Sequence, residues 1–225
     1  MQNPIRIVAT KKLSERQKQQ LLSANFSMFD EDFISIQNKN FEIENINDYL
    51  IFTSQNAVES VLRNKKITEI KSKKCFCVGE KTKALLEQND FDVIVDSDYA
   101  AELASIICNQ YFKNSFTFFC GNIRRDVLPE ALKLAQISLD EVEVYKTILT
   151  THKIDFTPDG ILFFSPSGVE SYLQKNKIED ENCFCIGNTT AEALKYITTN
   201  RIIANQPTME SVVMKCIEYY RQPND

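Results

Sequence analysis

Phe52-Thr-Ser-Gln-Asn-Ala-Val-Glu-Ser-Val-Leu62 and Phe163-Phe-Ser-Pro-Ser-Gly-Val-Glu-Ser-Tyr-Leu173 are two versions of one phrase, 111 residues apart. Each begins apolar, turns through small polar residues and continues with helical periodicity. A second pair, Cys75-Phe-Cys-Val-Gly-Glu-Lys-Thr82 and Cys183-Phe-Cys-Ile-Gly-Asn-Thr-Thr190, follows in the same order at a spacing of 108. A period this long does not suit a solenoid and fits two related domains of about 100 residues each.

Around these phrases short apolar runs alternate with helical segments. Strands are expected at Ile5–Ala9, Tyr49–Thr53, Cys75–Val78, Val93–Val95, Phe116–Phe119, Ile161–Phe164, Cys183–Ile186 and Ile202–Ala204. Helices are expected after Ser14, a candidate N-cap, and after most of the strands. Ala100–Phe112 places Leu103, Ile106, Ile107 and Tyr111 on one face. Such alternation predicts an α/β protein with doubly wound parallel sheets. Ile34–Gln37 and Glu141–Thr147 alternate like half-exposed strands and read as a pair of linkers. One domain is therefore expected to be inserted in the other: residues 1–36 plus 147–225 against 41–142, with linkers at 37–40 and 143–146.

Composition narrows the function classes. Of 225 residues, 43% are hydrophobic and 25% charged, which suits a globular chain. No apolar run approaches the roughly 20 residues of a membrane span, and Met1–Thr10 has no signal-peptide pattern, so a cytoplasmic location is expected. Seven cysteines and one histidine argue against a disulfide framework and against a histidine-based metal site. A net charge of −5 argues against broad nucleic-acid binding but permits a local anion site. With only five glycines there is no G-x-G-x-x-G and no phosphate-binding P-loop.

The strand ends carry the candidate chemistry. Thr53-Ser54, Gly79-Glu80-Lys81-Thr82, Gly121-Asn122, Ser165-Pro166-Ser167-Gly168, Gly187-Asn188-Thr189-Thr190 and Pro207-Thr208 each follow a strand and open a helix. That is the edge where open α/β sheets bind ligands, and helix-start N–H groups there receive anions. Taken alone, each such serine or threonine is more often a helix cap than a ligand contact; their repetition in both halves favours the ligand reading, although duplication of a stable unit would repeat them too. Arg124 and Arg125 open a helix, where cations oppose the dipole, so an anionic partner is one reading and solvated surface arginines the other. His152 reads as a solvated loop residue, and Cys75, Cys77, Cys183 and Cys185 as small core residues. Cys120, beside Gly121, is expected to be partly exposed, with no base near it in sequence.

Taken in order, Ile51–Val58, Val78–Thr82, Phe118–Pro129, Val144–Thr147, Phe164–Gly168, Ile186–Thr190 and Pro207-Thr208 resemble the uroporphyrinogen-III synthase family. The resemblance implies two flavodoxin-like domains joined by a two-stranded β-ladder, acting without cofactor or metal. It implies the linear polycarboxylate hydroxymethylbilane as substrate. Water would be lost and the terminal pyrrole inverted through a spiro intermediate, giving uroporphyrinogen III for haem or sirohaem synthesis. It implies a cytoplasmic monomer with no nucleic-acid or membrane partner. Tyr145 matches the family tyrosine proposed to assist loss of the hydroxyl, and Thr82 and Thr190 match its cleft threonines. Ser54, Lys81, Gly121, Asn122, Arg124, Arg125, Ser165 and Ser167 complete the expected substrate-binding set. The family pattern has arginine where this chain has Cys120, which shifts attention to Arg124 and Arg125. The competing reading is a two-domain binding protein that closes on a small anionic ligand without chemistry.

Overall fold

A computed structural model describes residues 3–124 and 126–221. The chain divides into two compact units. One runs up to Ser35 and resumes at Ile148; the other is Ile36–Thr147.

The first unit opens with β1 (Ile5–Ala9), α1 (Glu15–Ser23) and β2 (Phe26–Asp30), and β3 (Ile34–Asn38) follows at the boundary. The second unit continues with β4 (Tyr49–Phe52), α2 (Gln55–Val61), α3 (Ile67–Lys71), β5 (Lys74–Val78), α4 (Glu80–Gln88) and β6 (Val93–Ser97). Then come α5 (Ala100–Gln110), β7 (Phe116–Gly121), α6 (Val127–Leu134) and the long β8 (Leu139–Leu149). The chain ends in the first unit with β9 (Gly160–Phe163), α7 (Pro166–Leu173), β10 (Asn182–Cys185), α8 (Asn188–Glu192), β11 (Arg201–Ile203) and α9 (Met209–Arg221).

The first unit holds a five-stranded sheet in the order β11-β10-β9-β1-β2, with parallel pairing throughout. The second holds a six-stranded sheet, β3-β8-β7-β4-β5-β6, parallel from β8 to β6. Read from β9 onward, the first sheet has the plan of the second. Its β9, β10 and β11 stand where β4, β5 and β6 stand, and its β1 and β2 where β7 and β8 stand. The units are circular permutations of one another. The sequence repeat joins β4–β5 to β9–β10, two strands that are consecutive in both units.

Both sheets are buried on both faces, as doubly wound sheets require. Strand residues alternate between two cores. Phe52, Cys75 and Cys77 pack with Ala57, Val58 and Val61 on one side of the larger sheet. Ile51, Phe76 and Phe118 pack with Leu103, Ile107 and Leu128 on the other. Cys183 and Cys185 join Val169 and Tyr172, while Phe184 joins Val212 and Cys216. The alternating cysteines are core residues.

The strand at Phe26–Asp30 and the five-residue helix at Ile67–Lys71 have no counterpart in the sequence reading. Only Phe26 of β2 is fully buried, so its pattern is weak, and α3 has no side-chain N-cap bond. The expected linker 143–146 lies within β8, which pairs with β7 as far as Tyr145. By contrast Ser14 caps α1 as read. It accepts Gln17 N–H, and Gln17 returns a bond to the Ser14 N–H in a capping box.

Candidate functional site

In an open α/β sheet the ligand crevice lies beyond the carboxyl ends of the strands where the winding reverses. In the second unit that point is between β4 and β7; in the first it is between β1 and β9.

At the β4–β7 point the junctions after β4, β7 and β5 lie along one edge, with β8 beside them. Two residues past β4 stands Ser54, whose Oγ accepts Asn56 N–H at 3.2 Å and caps α2. β7 ends in Gly121, and beside it β8 carries Tyr145, buried to 7% exposure. The Tyr145 hydroxyl donates to Ser54 Oγ at 3.3 Å. The tyrosine ring lies against the bare Gly121 backbone: a Cβ on residue 121 would sit 2.5 Å from Tyr145 Cζ. Asn122 donates its N–H to Tyr145 O at 3.3 Å and pairs its side-chain amide with Thr147. On the other side of β4, the Gln55 Nε2 group donates to Lys81 O at 3.4 Å, which ties in the junction after β5.

That junction turns on Gly79. Its φ of 87° lies in the region that favours glycine, and it caps α4 with no side-chain bond. Thr82 is buried one turn inside α4, its N–H donating to Gly79 O at 3.0 Å. Lys81 is exposed, and Lys83 pairs with Asp96 at 3.0 Å. Arg124 is paired within the unit, to Asp126 and, at 2.5 Å, to Glu141. Arg125 lies outside the described residues.

The first unit repeats the arrangement with different side chains. Ser165 Oγ accepts Gly168 N–H at 3.0 Å, caps α7 and lies 3.2 Å from Ser167 Oγ. Thr10, directly after β1, converges on the same point. Its Oγ1 and Ser165 Oγ would each stand 3.3 Å from a Cβ on Gly168. Thr10 is 3% exposed and donates to Leu162 O at 2.9 Å. The sequence reading passed over it, although it follows β1 as Ser165 follows β9. Thr190 is buried like Thr82, with its N–H on Gly187 O at 3.1 Å, and Gly187 caps α8 with no side-chain bond. Thr208 Oγ1 accepts Ser211 N–H at 3.1 Å, a helix cap.

Two expectations need correction. Cys120 is buried and donates to Val142 O rather than standing partly exposed. Burial, with the Glu141 carboxylate, pushes its thiol up to about 11, so it is protonated at neutral pH and no nucleophile. His152 is half-buried, not a solvated loop residue. Its ring packs edge-on against Phe33 at 5.0 Å, and Nε2 lies 3.1 Å from Asp32 O. Among the described residues no cluster of three or more His, Cys, Asp or Glu side chains is placed to hold a metal. No helix among them is long and apolar enough to cross a membrane.

Chemically, the two edges offer hydroxyls, helix-start N–H groups and one phenol. Each edge by itself supplies hydrogen-bond donors of the kind that receive anionic groups. Doubly wound sheets with glycine- and hydroxyl-lined switch points define the class: a parallel α/β protein whose strand ends are the candidate ligand edge.

The family described as Uroporphyrinogen-III synthase HemD matches residues 29–214, and the chain belongs to that family. Among curated relatives, the porphyrin biosynthesis protein HemD of Ruminiclostridium josui is 26% identical over 200 residues, 78% of this chain. The chain spans 39% of the length of that protein. Uroporphyrinogen-III synthase of Saccharomyces cerevisiae is 25% identical over 232 residues, covering 85% of this chain and 83% of the yeast protein. The crystal structure of uroporphyrinogen-III synthetase from Helicobacter pylori superposes with a TM-score of 0.72 at 20% identity. It covers 96% of this chain and 99% of that one, a likeness of fold.

Proposed function

We propose that the protein is a uroporphyrinogen-III synthase, a cyclising carbon–oxygen lyase acting on hydroxymethylbilane. The observation that carries the reading is the Tyr145 hydroxyl, held at the β4–β7 switch point against Gly121 and Ser54. An electron-rich pyrrole expels its own hydroxyl, so the step needs a hydrogen-bond donor to the leaving oxygen and no strong acid. A phenol O–H can donate a hydrogen bond to that oxygen as it leaves. The harder task is to hold a flexible chain so that the terminal ring closes in the inverted sense, a matter of positioning.

Each unit offers substrate carboxylates its own strand-end groups: the start of α4, which has no side-chain cap, beside Thr82 in the second unit, and the Thr10–Ser165–Ser167 and Thr190 positions in the first. Helix-start N–H groups and hydroxyls neutralise them without a cluster of cations, which suits a chain of net charge −5. Arg124, paired with two carboxylates, serves the substrate only if those pairs open. The enzyme works as a cytoplasmic monomer with no cofactor.

The test supplies freshly made hydroxymethylbilane and resolves the porphyrin isomers after oxidation. Isomer III in excess supports the synthase. Isomer I alone, the product of unassisted closure, leaves the non-catalytic binding protein as the reading.

A further inference from the structure

β8 loses its regular register where it passes the site. Cys120 pairs with Glu143, but the next residue of β7, Gly121, pairs with Tyr145, so Val144 is an extra residue in β8. This bulge breaks the two-residue alternation, and Val144 and Tyr145 are both buried although adjacent. A strand can relieve a bulge by slipping one residue, which would turn Tyr145 to the opposite face.

Asn122 stands just past the bulge. Its backbone N–H donates to Tyr145 O at 3.3 Å. Its Oδ1 accepts Thr147 N–H at 2.7 Å and its Nδ2 donates to Thr147 O at 3.3 Å. The side-chain amide thus takes the place of a peptide group and pairs with both polar groups of Thr147, where β7 itself has ended. Both of its hydrogen bonds are directed at the strand that carries the tyrosine.

We infer that Asn122 is a positioning residue: it locks the bulged register of β8 and so places the Tyr145 hydroxyl at Ser54, acting on the reaction through Tyr145 and not by touching substrate. The kinetic part of this inference rests on the synthase reading.

The experiment uses the full chain with N122A, N122D, Y145F and the N122A/Y145F double variant, after wild type has been assayed for isomer III. N122A is expected to lower kcat about 10- to 100-fold, the scale of an ångström-level misplacement, with KM within about twofold. In the Y145F background N122A adds little, because the two act in one chain of contacts. A raised KM with unchanged kcat, or losses that multiply in the double variant, would show a direct substrate contact and overturn the inference. A second readout needs no turnover: amide exchange of Thr147 followed by NMR. It is expected to quicken at least about tenfold in N122A and less in N122D, which keeps the acceptor for the Thr147 N–H and serves if N122A does not fold. Unchanged exchange in both variants overturns the clamp. If wild type makes isomer I alone, the synthase reading fails, while the exchange measurement still decides whether Asn122 holds the strand.

Discussion

The ring of Tyr145 fills the space that any side chain on Gly121 would need; a Cβ there would stand 2.5 Å from Cζ and 2.6 Å from Cε2. Glycine is required by this approach, since its φ is not in the left-handed region. The closeness lets the phenol lie against the end of β7, with its hydroxyl 3.3 Å from Ser54 Oγ.

Gly121→Ala should therefore act through the tyrosine. Overpacking of this kind costs about 1–3 kcal/mol, and the displaced ring should reduce synthase activity. Urea unfolding of G121A, Y145A and the pair checks it. The cost of the alanine should shrink when the ring is absent; an equal cost in both backgrounds would place the strain elsewhere.

Tyr145→Phe removes the hydroxyl and keeps the packing. The lost bond to Ser54 is worth about 0.5–1.5 kcal/mol of stability at most, so the fold should persist. Turnover of hydroxymethylbilane should fall about tenfold or more, read as the rate of isomer III formation. A wild-type rate in Y145F would remove the phenol from the reaction.

Thr82→Val and Thr190→Val keep the shape of two buried side chains and delete their hydroxyls. If these hydroxyls bind substrate carboxylates, KM should rise about 10- to 150-fold per site, the scale of one hydrogen bond to a charged group, with thermal midpoints nearly unchanged. Loss of stability with unaltered KM would assign both threonines to helix structure alone.

The buried cysteines should be inert in the folded protein. Burial pushes Cys77, Cys183 and Cys185 up to about 12 and Cys120 up to about 11. Half-buried Cys108 is expected to react first with a thiol reagent at pH 8, and the buried ones only after urea is added. Rapid modification of Cys120 in the native state would contradict its placement under Val142.

Acid should weaken one tie in the second unit. Asp48 accepts the Ser115 N–H at 2.9 Å and its hydroxyl at 3.0 Å, and these bonds hold its carboxyl below the usual range. A depressed folded value means that the contribution is complete above the unfolded value of about 3.9. It declines as pH falls below that value and is gone once the pH has passed the folded value. The stability difference between wild type and Asp48→Asn should thus be largest near neutrality and shrink as the solution is made acid, as urea midpoints at several pH values would show. A constant difference would sink the assignment.

The two phrases at Phe52 and Phe163 determined a good deal by themselves. Parallel strands buried on both faces must be short apolar runs, and the chain must turn through small polar residues to start each helix. The repeat, the layered α/β class and the junction residues therefore stand in the local pattern, and so do Ser14 as a cap and the cysteine pairs as core. Weakly patterned β2 and short α3 do not, because burial by neighbours creates them. Nor does sequence spacing reveal that Thr10 converges with Ser165 and Gly168 across 150 residues, or that the first unit is the second one permuted. The site depended most on tertiary structure. Alternation along Glu141–Thr147 predicts a half-exposed strand, yet the bulge at Val144 turns Tyr145 onto Gly121 and buries it. A bulge is a property of two paired strands, so no reading of one of them could place the tyrosine.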